Sequence, residues 1–426
     1  MKTTVFAVMA LAIAVAGSAG EKTKGKANGK RAGSAPLAKL PSAPGAHVSR
    51  IKALGNNKWL KLGKPQPDPK YGLAPGRAYT NKMAPAPELG GAFLMGEGVH
   101  GGAMMRGGRL HYNDDVWFYD ARAHRWICVY PGTDVRNFEC KMDKNGFEVD
   151  VKTGQHPPIA IAVHGYECFT YIAAANKFMC LESGSSFWQK RLEPRRSKWR
   201  GKPSWTARKE ITKNPFFYDV KTGRWQRVKS EKRAPVPGLC KSLIYMPEFK
   251  KVALYGRHGD FWFYDYAANK WSHVNGKGPA PSCGDYEGVS CYDGKRGRVY
   301  AFNRNRNKPG SFGIYEVKTN TWIKPNSKVR PDVLAGSHYS STTASAHYDA
   351  AGDAVVLFLR GGRKAKAPGV YVYDVEKDEW TPKRTSPRTG GQHGYYDPGL
   401  NVHVFFNAGD SNTRPGEINL YRYKRR

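Results

Sequence analysis

The sequence predicts an all-β fold closed into a six-membered circular array, and three observations carry that prediction. One phrase recurs: an aromatic run ending in Tyr-Asp or Tyr-Glu, a short turn, then a tryptophan. It reads VWFYDARAHRW at 116–126, PFFYDVKTGRW at 215–225, FWFYDYAANKW at 261–271, FGIYEVKTNTW at 312–322 and VYVYDVEKDEW at 370–380. A second element precedes each phrase, a tyrosine followed after a turn by alternating apolar positions. It runs from Tyr171 to Phe178 and Cys180, Tyr245 to Val252 and Leu254, Tyr292 to Val299 and Ala301, Tyr348 to Val355 and Leu357, and Tyr396 to His403 and Phe405. The third observation is a sixth copy cut in two. INLYRY at 418–423 lacks its tryptophan, and Trp59 in NNKWLKL supplies one near the other end of the chain.

Each element follows from these patterns. The alternating hairpin supplies strands a and b, the aromatic run strand c and the tryptophan segment strand d. A strand buried on both faces stays apolar throughout, as AVVLFL at 354–359 does. Successive phrase tryptophans stand 99, 46, 51 and 58 residues apart. The long interval contains one hairpin tyrosine, Tyr171, so it holds one unit plus an insertion and the total is six. Joining Trp59 to the last unit removes the sheet edges that an open array would expose.

The phrase resembles the kelch repeat, whose period is about 50 residues. The resemblance covers residues 57–426 and implies a six-bladed kelch-like β-propeller closed between its N- and C-terminal strands, as a velcro. The kelch double glycine is retained only at Gly107-Gly108 and Gly361-Gly362. No segment matches the copper-ligating stretches of galactose oxidase, a kelch enzyme. The exported sialic-acid mutarotases are similar in having six kelch blades and an acidic sugar as ligand. Propellers of this kind also serve as display faces for protein partners.

Residues 1–20 carry one lysine, an apolar run from Val5 to Ala16 and small residues before Glu21, the pattern of a secretory signal peptide. Residues 21–56, rich in Lys, Gly, Ala and Pro, are expected to form a basic linker. The mature chain is therefore expected in the medium, in a periplasm or on a cell surface. Seven cysteines leave at least one outside any intrachain pair. Cys168 and Cys180 lie on the two arms of one hairpin and form the candidate disulfide. No Cys/His spacing fits a zinc site, and neither a metal nor a cofactor is expected.

The chain holds 69 Lys and Arg against 35 Asp and Glu, a net charge of +34. For an exported protein this directs attention to an acidic polysaccharide, a sulfated glycan or an anionic cell envelope rather than to nucleic acid. Arg257, Arg304 and Arg360 each follow the hairpin tyrosine of their blade by twelve residues, and Arg106 precedes the first phrase at a matching place. At the end of strand b they would gather at one mouth of the channel, where guanidinium forks suit carboxylate or sulfate. The insertion of blade two, residues 184–214, brings Trp188, Trp199 and Trp205 among ten Lys/Arg and two Glu. Indole faces of that kind stack on sugar rings. His100, His164, His258, Asp285, His338 and His393 are expected near the same rim. His164, His258 and His338 are the proton-transfer candidates for an alternative reading, a polysaccharide lyase or acidic-sugar epimerase.

Overall fold

The computed structural model describes residues 35–77, 80, 82–95, 103–159, 167–181, 214–231, 242–255, 260–281, 288–303, 311–327, 344–359, 369–383, 393–408 and 416–425. Six antiparallel four-stranded sheets form the blades of a β-propeller. Blade one takes Ala84–Ala86, Gly91–Met95, Val116–Asp120 and Arg125–Tyr130 as strands a to d. Blade two takes Phe169–Ile172, Lys177–Cys180, Phe216–Asp219 and Arg224–Arg227. Blade three takes Ser242–Met246, Lys251–Tyr255, Phe261–Asp265 and Lys270–Val274. Blade four takes Gly288–Asp293, Arg298–Asn303, Ser311–Glu316 and Thr321–Ile323. Blade five takes Ala344–Asp349, Ala354–Leu359, Gly369–Asp374 and Glu379–Lys383. Blade six takes Gly394–Asp397, Val402–Asn407 and Glu417–Arg422, and its outer strand is Lys58–Gly63, paired antiparallel so that Trp59 faces Tyr421. The six strands a neighbour one another in a closed ring, and an apolar cluster fills each interface between blades.

The repeated phrase is a hairpin with a fixed set of bonds. In every blade the strand-c tyrosine pairs directly with the strand-d tryptophan, as in Tyr119 with Trp126 and Tyr264 with Trp271. Two residues before the tryptophan the backbone turns left-handed, with φ between 51° and 69° at Asn57, His124, Gly223, Asn269, Asn320 and Asp378 in the six blades. Asn, Asp and Gly tolerate that conformation best. The tyrosine hydroxyl donates to the side chain at that position in several blades, at 2.7 Å for Tyr264–Asn269 and 2.6 Å for Tyr373–Asp378. The aspartate of the phrase caps the turn, Asp265 Oδ1 accepting the amides of Ala267 and Ala268.

Three expectations need correction. Residues 35–56, placed in the linker by composition, pack on the propeller: helix His47–Ala53 buries Val48 and Ile51, and Leu37 is buried as well. Apolar side chains spaced through a basic segment gave it a face to bury, and Arg422 and Arg425 donate to the carbonyls of Ile51 through Leu54 at the helix end. Strand b of blade one is Gly91–Met95, and Arg106, expected at the end of a strand b, instead lies in an added hairpin, Ala103–Arg106 with Arg109–Tyr112. A further hairpin, Cys140–Met142 with Glu148–Asp150, separates blades one and two. Finally, no disulfide joins Cys168 and Cys180. Phe169 lies opposite Cys180 and the Cys168 carbonyl accepts the Leu181 amide, so the two thiols fall on opposite faces of the sheet and in different interblade cores. No helix among the described residues is long and apolar enough to cross a membrane.

A candidate site in the central channel

The ring of strands a encloses a cavity of about 470 Å³. Its two ends differ chemically because strand a presents different residues along its length. Toward the end of strand a in blades two to six stand the hairpin tyrosines Tyr171, Tyr245, Tyr292, Tyr348 and Tyr396, which line the cavity. Several of their hydroxyls are tied back to neighbouring turns, Tyr292 to Glu248 at 2.9 Å, Tyr348 to Asp353 at 2.6 Å and Tyr396 to Asn401 at 2.8 Å. This end is therefore aromatic and fixed.

Toward the start of the strands the lining is polar: Lys82, Glu167, Ser290, Ser345 and His347. Glu167 Oε2 accepts the Ser242 hydroxyl at 2.7 Å, and Ser242 accepts that of Ser290 at 2.8 Å. Lys82 donates to the Leu243 carbonyl. Burial lowers the Lys82 ammonium despite the opposing charge of Glu167, and burial raises the Glu167 carboxyl despite Lys82 and Ser242.

A second polar chain leaves the cavity between blades five and six. Ser345 Oγ lies 2.9 Å from His347 Nε2, His347 Nδ1 lies 3.1 Å from His403 Nδ1, and His403 Nε2 lies 3.1 Å from Asp349 Oδ2. Ser345, His347 and Asp349 alternate along strand a and so share the face that meets blade six. Asp349 Oδ1 also accepts the Gly352 amide in the a–b turn at 2.7 Å. Burial would raise this carboxyl, but the His403 bond and the turn amides outweigh it and hold it below the usual range. Burial drives His347 well below its ordinary range, so it is neutral at pH 7. Gly394 makes the approach feasible, since a β-carbon there would stand 2.9 Å from the His347 ring and 2.7 Å from that of Phe405.

Of the residues singled out from sequence, Arg106 lies in the added hairpin rather than at the end of a strand b. Its guanidinium is buried, donates to the carbonyls of Tyr112 and Pro131 at 3.1 Å, and pairs with Asp115 at 2.9 Å. Asp115 also pairs with the buried Arg77 and accepts Trp117 Nε1 at 2.7 Å. Arg106 is thus committed to a buried ion cluster. His393 is buried and accepts the Arg77 amide at 3.3 Å. Arg257, Arg304, Arg360, Trp188, Trp199, Trp205, His100, His164, His258, Asp285 and His338 lie outside the described residues. Sequence reasoning passed over Ser345, His347, His403 and Asp349. The available signal was His403 itself, in register with Phe178, Val252, Val299 and Val355 of the other hairpins.

No protein-family model matches the chain, and no curated protein matches it in sequence. Among solved structures it is similar to a chain of the mitotic checkpoint complex, at 9% identity and a TM-score of 0.41, over 97% of this chain and 99% of that one. It is also similar to an oligogalacturonate lyase in complex with manganese, at 13% identity and a TM-score of 0.40, over 87% of this chain and 98% of that one. At such identities no residue acquires a role from either.

Proposed function

We propose that this is an exported kelch-type propeller that binds an acidic glycan or comparable polyanion at the channel mouth. The observation that carries the reading is a register shared by three consecutive blades. Strand b ends at Tyr255, Asn303 and Leu359, opposite the first strand-a residues Ser242, Gly288 and Ala344. One or two positions later in sequence each continues into an arginine, Arg257, Arg304 or Arg360. The composition supports the same ligand: 69 cationic residues against 35 acidic ones leave 34 cations without an acid to pair, even if every acid is paired. The insertion with Trp188, Trp199 and Trp205 joins strands b and c of blade two, the same type of connection that carries the three arginines. A cationic rim with indole faces suits a polymer carrying both sugar rings and negative charge.

The test is equilibrium binding of the mature protein to polygalacturonate, a sulfated glycan and a neutral glucan across a range of salt. Binding is expected for the acidic polymers only and should weaken as salt rises. Replacing Arg257, Arg304 and Arg360 together with glutamine should weaken it at least tenfold and flatten the salt dependence. Unchanged affinity in that variant rejects the rim as the binding surface.

A further inference from the structure

The interface between blades five and six is chemically unlike the other five. Its apolar cluster is the smallest among the described residues, and two histidines, His347 and His403, meet within it, joined to Ser345 on one side and Asp349 on the other. At the position of His347 the other hairpins carry Thr170, Ile244, Cys291 and Tyr395, and at that of His403 they carry Phe178 and three valines. Burying polar side chains costs stability even when each is bonded. Four of them in one line, with one end at a cavity, call for a function.

The direction of the line follows from its far end. The Asp349 carboxylate only accepts, so His403 Nε2 carries a proton and donates it. With the His403 ring neutral its Nδ1 is an acceptor, and His347 Nδ1–H donates to it. That leaves the lone pair of His347 Nε2 facing Ser345 Oγ, which donates. With both imidazoles neutral in these tautomers, every bond points from the serine to the carboxylate. Ser345 and His347 line the cavity, while His403 and Asp349 are sealed from it, at 0% and 1% exposure.

We propose that this line activates Ser345 as a nucleophile for acyl transfer, with the ester of a small acyl group as substrate. Ser345 Oγ bonds to the acyl carbon while its proton passes to His347 Nε2. The His347 Nδ1 proton moves to His403, so that the positive charge settles beside Asp349 rather than at the cavity wall. Collapse of the adduct breaks the bond to the alkoxide, which leaves with the proton from His347 Nε2 as His403 returns its Nδ1 proton to His347 Nδ1. Water then attacks the acyl-serine by the same route and releases the acid and free Ser345. The cavity of about 470 Å³ limits the substrate to a small molecule or to the end of a chain. This inference does not depend on the polyanion reading, since none of its residues lies on the cationic rim.

The experiment is exposure of the intact protein to a fluorophosphonate probe, with the adduct located by peptide mass spectrometry. Attack by Ser345 expels fluoride and leaves a stable phosphonyl-serine. The wild type should be labelled at Ser345, Ser345→Ala should lose that label, and His403→Gln and Asp349→Asn should slow labelling at least a hundredfold. Hydrolysis of p-nitrophenyl acetate should fall in the same order. The wild-type adduct needs no variant, so a variant that fails to fold does not weaken the test. No adduct at Ser345 under excess probe overturns the proposal, as does a labelling rate unchanged in a folded Asp349→Asn protein.

Discussion

The outer hairpins of the six blades are close copies of one another, whereas the inner strands, beyond the tyrosine that five of them share, differ where they meet the channel. Outside, each tyrosine faces a tryptophan with ring centroids 4.8–5.5 Å apart, and each turn passes through the left-handed region at the same offset. Inside, the register is as regular, yet it carries lysine, glutamate, serine, histidine or glycine according to the blade. The outer strands must close a ring of equal wedges, so one solution serves six times. The inner strands are held in place by that frame and are released from repeating it. Where the blades agree they specify architecture, and where they diverge they specify a site.

If the outer pair is the frame, removing its largest member should have the largest effect. Trp271 is fully buried against Tyr264, and Trp271→Ala should destabilise the propeller by about 3–5 kcal/mol in denaturant titration. Trp126→Ala and Trp322→Ala should cost the same within about 1 kcal/mol, because their surroundings repeat. A spread as wide as the mean would break the equivalence of the blades.

The next largest effect belongs to a place where a blade leaves the repeat. Beside the added hairpin of blade one, Asp114 is buried with both oxygens bonded to Thr133, at 2.8 and 2.6 Å. Burial, only partly offset by those bonds, pushes its carboxyl up to about 7. The unfolded chain gives up the same proton near pH 4, so the stability that depends on it is complete below about pH 4 and lost as pH rises through about 7. Asp114→Asn keeps the shape and cannot ionise. It should remove a pH dependence on the order of 3 kcal/mol between pH 4 and 7, measured by melts at stepped pH. An unchanged profile would assign that dependence to other groups.

The difference between frame and site also explains how much was legible in sequence. The blade count, the strand pairs and the partnership of Trp59 with Tyr421 could be read because each rests on a spacing repeated several times. The turn bond of Tyr264 to Asn269 lies in that same spacing. Arg106 misled because its position was judged by distance from the phrase, and an added hairpin had taken up that distance. Cys168 and Cys180 misled through a register of one residue, which alternation alone does not resolve. The line from Ser345 to Asp349 was hidden because it joins two blades: His347 and His403 are 56 residues apart and each looks ordinary alone. Asp349 was further disguised as a turn residue, matching Asp293 and Asp397, whose carboxylates cap the same turn.

The smallest effect tests whether blades that look alike share their bonds. Tyr264→Phe removes the hydroxyl that donates to Asn269, whose amide also holds the Lys229 carbonyl at 2.9 Å, and should cost about 1 kcal/mol. Tyr315→Phe in blade four should match it, since that hydroxyl donates to Asn320, which holds the Asn275 carbonyl in the same way. Blade two differs at one atom group. Its left-handed residue is Gly223, which offers no side chain, and a β-carbon there would stand 3.4 Å from the Tyr218 hydroxyl. Tyr218→Phe should therefore be neutral or slightly stabilising, as it removes a buried hydroxyl from a site with no acceptor at that offset. Equal costs in all three blades would mean that the tyrosines act through ring packing alone and that the hydroxyl bond contributes nothing to the frame.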